Sequence, residues 1–140
     1  MKTTGRVNGI ISNIVIVKAD GPVGQNEICY VWTGDTKMMA EVIKVIGDAA
    51  YVQVFDSTRG LKIGDKVEFD GKGNWTELKC KYSQVPVRLI PQAIKKYVNE
   101  NYPSAKVIEM ERDRSEYDVK LSTGLEITFN KKFQVTDIDN

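Results

Sequence analysis

Over residues 5–69 the apolar positions fall in short, β-branched runs, each ended by turn chemistry. Ile10-Ile11 and Ile14–Val17 precede the Asp20-Gly21-Pro22 turn, and Glu27–Trp32 closes at Gly34-Asp35. Met39–Ile46 ends at Gly47-Asp48, Tyr51–Phe55 follows, and Lys66–Phe69 comes after the Gly60 and Gly64 turns. Such short strands would expose unpaired edges in an open sheet, so the pattern predicts a small closed barrel.

The period then changes. Ile90, Ala93, Ile94, Tyr97 and Val98 recur at three- and four-residue steps, predicting one helix near Pro91–Asn101 with Lys95, Lys96, Asn99 and Glu100 on its polar face. Pro91 suits a first turn and Pro103 blocks continuation. Beyond it Ile108 and Met110, then Tyr117, Val119 and Leu121, then Leu125, Ile127 and Phe129 alternate with polar residues, and Val135–Ile138 reads as a last strand. A sheet apolar on one face needs that face covered, and the helix is the available cover. The expected fold class is mainly β with an α+β second part: a small closed β-barrel at 1–69, followed at 70–140 by a helix packed on an antiparallel β-meander.

Residues 125–139, LEITFNKKFQVTDID, align without gaps on 65–79, DKVEFDGKGNWTELK. Phe69 matches Phe129, Lys72 matches Lys132 and Thr76 matches Thr136, and both copies read as strand, polar turn, strand. The second copy follows a helix and two strands, whereas the first follows barrel-like sequence. The first copy therefore reads as the tail of a repeat whose front has been replaced.

Composition mostly removes functions. The 140 residues hold 20 Lys plus Arg against 19 Asp plus Glu, a net charge of +1, which argues against a nucleic-acid or anionic-membrane binder. No apolar window is long enough for a membrane span, and MKTTGRVNG has no apolar signal core, so a cytoplasmic location is expected for the chain as written. There is no histidine, which removes the commonest general base and metal ligand. Cys29 and Cys80 have no metal spacing and are read as two unpaired thiols, in keeping with a reducing compartment.

Two resemblances divide the chain. GRVNGIISNIVIVKADGPV, EICYV and MAEVIKVIGDAAYVQVFDSTRGLKIGDKV, with Gly5, Val7, Glu41-Val42-Ile43, Thr58-Arg59-Gly60-Leu61 and Gly64, resemble the N-terminal β-barrel domain of rotary ATPase head subunits, most of all the V-type catalytic A subunit. That resemblance implies a collar module that packs neighbouring subunits into a ring. FDGKGNWTELKC, LIPQAIKKYVNENYPSAKVIEMERD and YDVKLSTGLEITFNKKF resemble the PepSY-like proteins of Bacteroides-type bacteria, similar to β-lactamase-inhibitor-protein folds and usually exported. It implies a binding or inhibitory module. The seam falls within 64–70, and a strand at 66–69 that ends the barrel and begins the repeat's hairpin would suit an engineered or recombined chimera.

No cofactor, metal or catalytic residue is expected. A P-loop needs GxxxxGK followed by Ser or Thr, whereas Gly64 to Gly71-Lys72 has the wrong spacing and Gly73 where the hydroxyl should be. Glu109, Glu111 and Asp113 alternate and could form a cation site, but the solvated face of a sheet with Lys120 across from it is the better reading. Arg112, Arg114, Lys131 and Lys132 are interleaved with acids, and residues 71–140 hold 12 basic against 10 acidic side chains, so no nucleic-acid face is expected. Trp32, Trp75 and the Met38-Met39 pair are read as packing. The expectation is a non-catalytic protein binder whose partners include rotary ATPase subunits for the barrel. Candidate partner contacts are Gly21, Pro22 and Asn26, then Thr58, Arg59 and Gly60, then Glu109 and Glu111. The alternative is an inhibitor of a secreted protease or β-lactamase acting through 70–140.

Overall fold

The computed structural model describes residues 2–71, 74–80 and 84–140; Lys72 and Gly73 of the Gly/Lys-rich turn lie outside them. The chain divides into two compact units, Met1–Trp75 and Thr76–Asn140.

In the first unit six strands close into a barrel: β1 (Thr4–Ile11), β2 (Ile14–Ala19), β3 (Ile28–Thr33), β4 (Thr36–Ile46), β5 (Ala49–Val54) and β6 (Lys66–Phe69). Their order around the wall is β1-β2-β5-β4-β3-β6, every pair antiparallel. Strand alternation sends Val7, Val15, Val17, Val31, Ala40, Val42, Val52 and Val67 into one buried cluster. Small β-branched side chains suit so narrow a barrel, and Phe69, with no exposed surface, is the aromatic member of that cluster. Met38 and Met39 are both buried, as packing residues should be.

Gly5 shows why β1 starts as it does. A β-carbon there would lie 2.6 Å from the Lys18 carbonyl oxygen and 2.7 Å from Val17 Cγ1, so only glycine lets β1 lie this close to β2.

The second unit is a five-stranded antiparallel sheet, in spatial order β11-β10-β9-β8-β7, with one helix. Its elements are β7 (Glu77–Lys79), α1 (Gln92–Asn101), β8 (Val107–Arg112), β9 (Glu116–Leu121), β10 (Glu126–Asn130) and β11 (Val135–Asp139). Leu78, Met110, Val119, Leu121, Ile127 and Phe129 line the covered face, and Ile94 and Val98, one helical turn apart, are buried on α1. The Tyr97 ring meets Phe129 edge-on at 5.4 Å and 88°, which fixes the helix against the sheet. Pro91 caps α1, and its carbonyl accepts from the Lys95 amide at 3.0 Å. Among the described residues no helix is long and apolar enough to cross a membrane.

Each repeat copy supplies two strands, but the copies pair them differently. β10 and β11 form a hairpin, whereas β6 lies in the barrel and β7 at the edge of the other sheet. The shared-strand expectation for 66–69 therefore fails at the hairpin. β6 is hydrogen-bonded to β1 on one side and β3 on the other, so it has no free edge for β7.

Two substitutions test this packing. Gly5→Ala is expected to destabilise the barrel by about 1–3 kcal/mol through overpacking, read from the denaturant midpoint. Phe129→Ala is expected to cost about 3–5 kcal/mol, with the loss appearing in hydrogen exchange of β9 and β10 amides.

Candidate functional site

The loop candidates lie at opposite ends of the barrel. Residues 20–27 follow β2, where the Asn26 amide donates to the Val42 carbonyl at 2.8 Å and the Thr3 hydroxyl donates to the Pro22 carbonyl at 2.7 Å. Gly21 packs on Thr3, whose Oγ1 would stand 2.9 Å from a β-carbon there. Residues 55–65 follow β5: the Thr58 hydroxyl donates to the Ser12 carbonyl, and the Gly60 carbonyl accepts from the Thr33 hydroxyl, both at 2.9 Å. The Arg59 amide donates to Ser57 Oγ at 3.1 Å, and Gly60 holds φ +91°, a conformation glycine takes without strain. β3, β4 and β5 lie between the two loops, and because neighbouring strands of the wall are antiparallel, three crossings put the loops at opposite ends. That parity was available in the sequence.

The barrel's outer wall carries apolar side chains that alternation hid among the core runs. Ile14 neighbours Gln53, Ile16 lies between Gly9 and Tyr51, and Ala49 lies between Lys18 and Ile46. Ile11 is 64% exposed and Ile46 56%. Arg6, Lys18 and Lys44 rim this strip, and Lys44 Nζ stands 4.7 Å from the centre of the Tyr51 ring.

On the second unit, register turns scattered acids into two rungs across the open face of the sheet. Glu77, Glu111, Asp118, Thr128 and Asp137 align strand by strand from β7 to β11. Beside them run Lys79, Glu109, Lys120, Glu126 and Asp139. The second rung alternates sign on its first strands, with Lys79 Nζ 3.5 Å from Glu109 Oε1. The first has no cation in line; the Thr128 hydroxyl donates to Asp118 Oδ1 at 2.8 Å. A shallow cavity of about 280 Å³ opens over both rungs. Partial burial pushes the Glu111 carboxyl above its usual range, and Glu77, Glu109 and Asp118 add to the rise against the pull of Lys79.

Glu109 and Glu111 thus share the solvated face with Lys120, which stands directly opposite Glu109. Asp113 leaves the set, because its Oδ1 accepts from the Ser115 and Glu116 amides at 2.7 and 2.9 Å and closes the β8–β9 turn. Those bonds hold its carboxyl below the usual range. Among the described residues no three His, Cys, Asp or Glu side chains are arranged to hold a metal ion. Of the basic residues, Lys131 lies 4.2 Å over the Tyr117 ring, which stacks on Phe133. Cys29 and Cys80 are both buried, and no disulfide joins them. Trp75 is buried, and Trp32 is partly buried with its Nε1 lacking a hydrogen-bond partner.

The raised Glu111 carboxyl sets a sign. A folded-state pKa above the unfolded value means that the charged form lowers stability at neutral pH, and this cost disappears as pH falls through the folded and then the unfolded value. Glu111→Gln is therefore expected to raise the denaturant midpoint at pH 7, and the gain should vanish below about pH 3, where the carboxyl is protonated in both states.

Two family models match the chain, and their ranges overlap. The model of the "Putative beta-lactamase-inhibitor-like, PepSY-like" family matches residues 50–137, and that of the "ATP synthase alpha/beta family, beta-barrel domain" matches residues 7–71. The V-type ATP synthase alpha chain of Treponema denticola is 47% identical over 70 residues, and that of Borreliella afzelii 43% over 72. These alignments take in 50% and 51% of this chain, which spans 12% of the length of each relative. Among solved structures, a "putative calcium-regulated periplasmic protein" of Bacteroides thetaiotaomicron has a TM-score of 0.52 and 43% identity, covering 80% of this chain and 79% of that one. A "putative periplasmic protein" of the DUF2874 family from Bacteroides vulgatus has a TM-score of 0.51 and 46% identity, covering 82% and 79%. Both are described as periplasmic, in line with the expectation that relatives of the second half are exported. Matched over more than half its length, the chain belongs to the PepSY-like family and carries in its first half a β-barrel of the rotary ATPase type.

Proposed function

We propose that the protein is a non-catalytic binder that docks partners through two surfaces, one on each unit. The observation that carries this reading is the apolar strip on the barrel's outer wall, where Ile11 and Ile46 stay more than half exposed although the barrel interior is filled. Exposed apolar side chains rimmed by cations suit a protein surface that is apolar with a carboxylate border. The match to V-type ATP synthase alpha chains makes a rotary ATPase head subunit the partner of choice for this wall. The rung of Glu77, Glu111, Asp118 and Asp137 suits a basic partner surface on the second unit.

Absence of turnover is part of the proposal. Its 140 residues contain neither a histidine nor the GxxxxGK[ST] pattern. We further infer that the two families were joined across β5 and β6, because both family models cover residues 50–71. A recombined or engineered chimera would have this overlap where one sequence satisfies both templates.

Calorimetry of the intact protein with purified V-type head subunits tests the barrel surface. Binding in the micromolar range is expected, with Ile46→Lys and Ile16→Lys each weakening it about tenfold or more. No heat at micromolar concentration, or binding indifferent to both changes, would refute this partner. In a parallel assay against purified β-lactamase and protease, stoichiometric inhibition abolished by Glu111→Lys would replace the packing reading with the inhibitor one.

A further inference from the structure

The internal repeat leaves one strand edge without a neighbour. In the gap-free alignment Glu77-Leu78-Lys79 of β7 match Asp137-Ile138-Asp139 of β11. The sheet runs β11-β10-β9-β8-β7 with every pair antiparallel, so β7 and β11 point the same way. Glu77 and Asp137 also fall in one rung of the open face. β8 therefore lies against the edge of β7 that corresponds to the outer edge of β11. On β11 that edge carries no strand among the described residues.

The β7–β8 pairing shows what such an edge takes up. Glu77 stands opposite Glu111, Leu78 opposite Met110 and Lys79 opposite Glu109, so an apolar pair is flanked by charged ones. Lys79 and Glu109 have opposite signs and meet at 3.5 Å. β11 keeps the apolar centre but has Asp139 where β7 has Lys79, which puts a carboxylate on each side of Ile138. Ile138 is 46% exposed although Ile127, its neighbour on β10, is fully buried. Thr136, Asp137 and Asp139 are exposed as well.

These charges select the occupant. Paired antiparallel about Ile138, two β11 strands would set Asp137 opposite Asp139 twice, and like charges directly opposite are destabilising. The β8 strand of a second copy offers Glu109 and Glu111 at the matching positions and is repelled in the same way. A strand with cations at those positions is attracted instead.

We propose that the outer edge of β11 binds an extended segment of a partner protein by strand addition. The segment reads basic-apolar-basic, its cations facing Asp139 and Asp137 and its apolar side chain covering Ile138. Main-chain hydrogen bonds hold such a strand, and alternate side chains select it. This rests on the reading of the second unit as a docking surface for a basic partner, and it moves the contact from the open face of the sheet to its edge.

Amide NMR of the intact protein, titrated with acetyl-Thr-Lys-Val-Lys-Thr-amide, tests the edge. Saturable shifts of the Asp137, Ile138 and Asp139 amides are expected, with a Kd of about 1 mM. Replacing both peptide lysines by glutamate should weaken binding about tenfold or more, and the double variant Asp137→Lys, Asp139→Lys should reverse the preference between the two peptides. Only alternate residues of an added strand point their amides at the sheet. N-methylation of the peptide valine and N-methylation of its two lysines should therefore differ, one abolishing binding and the other sparing it. Equal effects of the two N-methylations, or no saturable shift on β11 at about 10 mM peptide, would overturn the edge site. Shifts centred on Glu111 and Asp118 and lost in Asp118→Asn would overturn it too, while leaving the open face as the docking surface. A concentration-dependent dimer that protects the β11 amides would make a second copy the occupant and refute the charge argument. The Val119 and Ile127 amides report whether each variant is folded.

Discussion

The architecture depends on β6 being hydrogen-bonded on both sides. Val67 lies opposite Gly5 on β1 and opposite Val31 on β3, and these pairings turn a curved sheet into a closed wall. Without them β1 and β3 would present free edges and the valine interior would open to water. The same double pairing sends the next strand elsewhere. β7 follows β6 in the repeat, as β11 follows β10, yet it joins β8 because β6 has no edge left. A short segment related by sequence to a hairpin is thereby divided between two hydrophobic cores, with Phe69 buried in one and its counterpart Phe129 in the other.

Charge is organised by register more than by composition. A net charge of +1 conceals an open sheet face on which one rung is carboxylate-rich and its neighbour alternates sign. The barrel shows the opposite arrangement, with Arg6, Lys18 and Lys44 around an apolar strip. The two surfaces share a logic: strand alternation fills the interior with aliphatic side chains and leaves the other face free to differ.

Much of this was legible in the residues. Alternation located the strands, Pro91 and Pro103 bracketed the helix, and short strands with turn chemistry implied closure. Face periodicity does not encode partners, however. It could not reveal that β6 would be enclosed on both sides, that Glu77 and Asp137 would fall in line with Glu111, or that Asp113 would turn away to cap its own loop. Glu27 was equally hidden. It begins an apolar run as an ordinary polar boundary residue, and only the approach of Gly71, forty-four positions later, makes it a buried carboxylate.

Closure by the last strand also constrains how the barrel is made. Residue 5 must wait for residue 67, so the pairing that seals the wall has a long sequence separation and cannot form before β6 is synthesised. Until then a nascent chain carries β1 to β5 with edges that can pair with neighbouring chains. The polar tip of the β1–β2 hairpin, Ser12-Asn13, is exposed during that interval. A module that closes this late tolerates replacement of everything after its final strand more readily than a change within it.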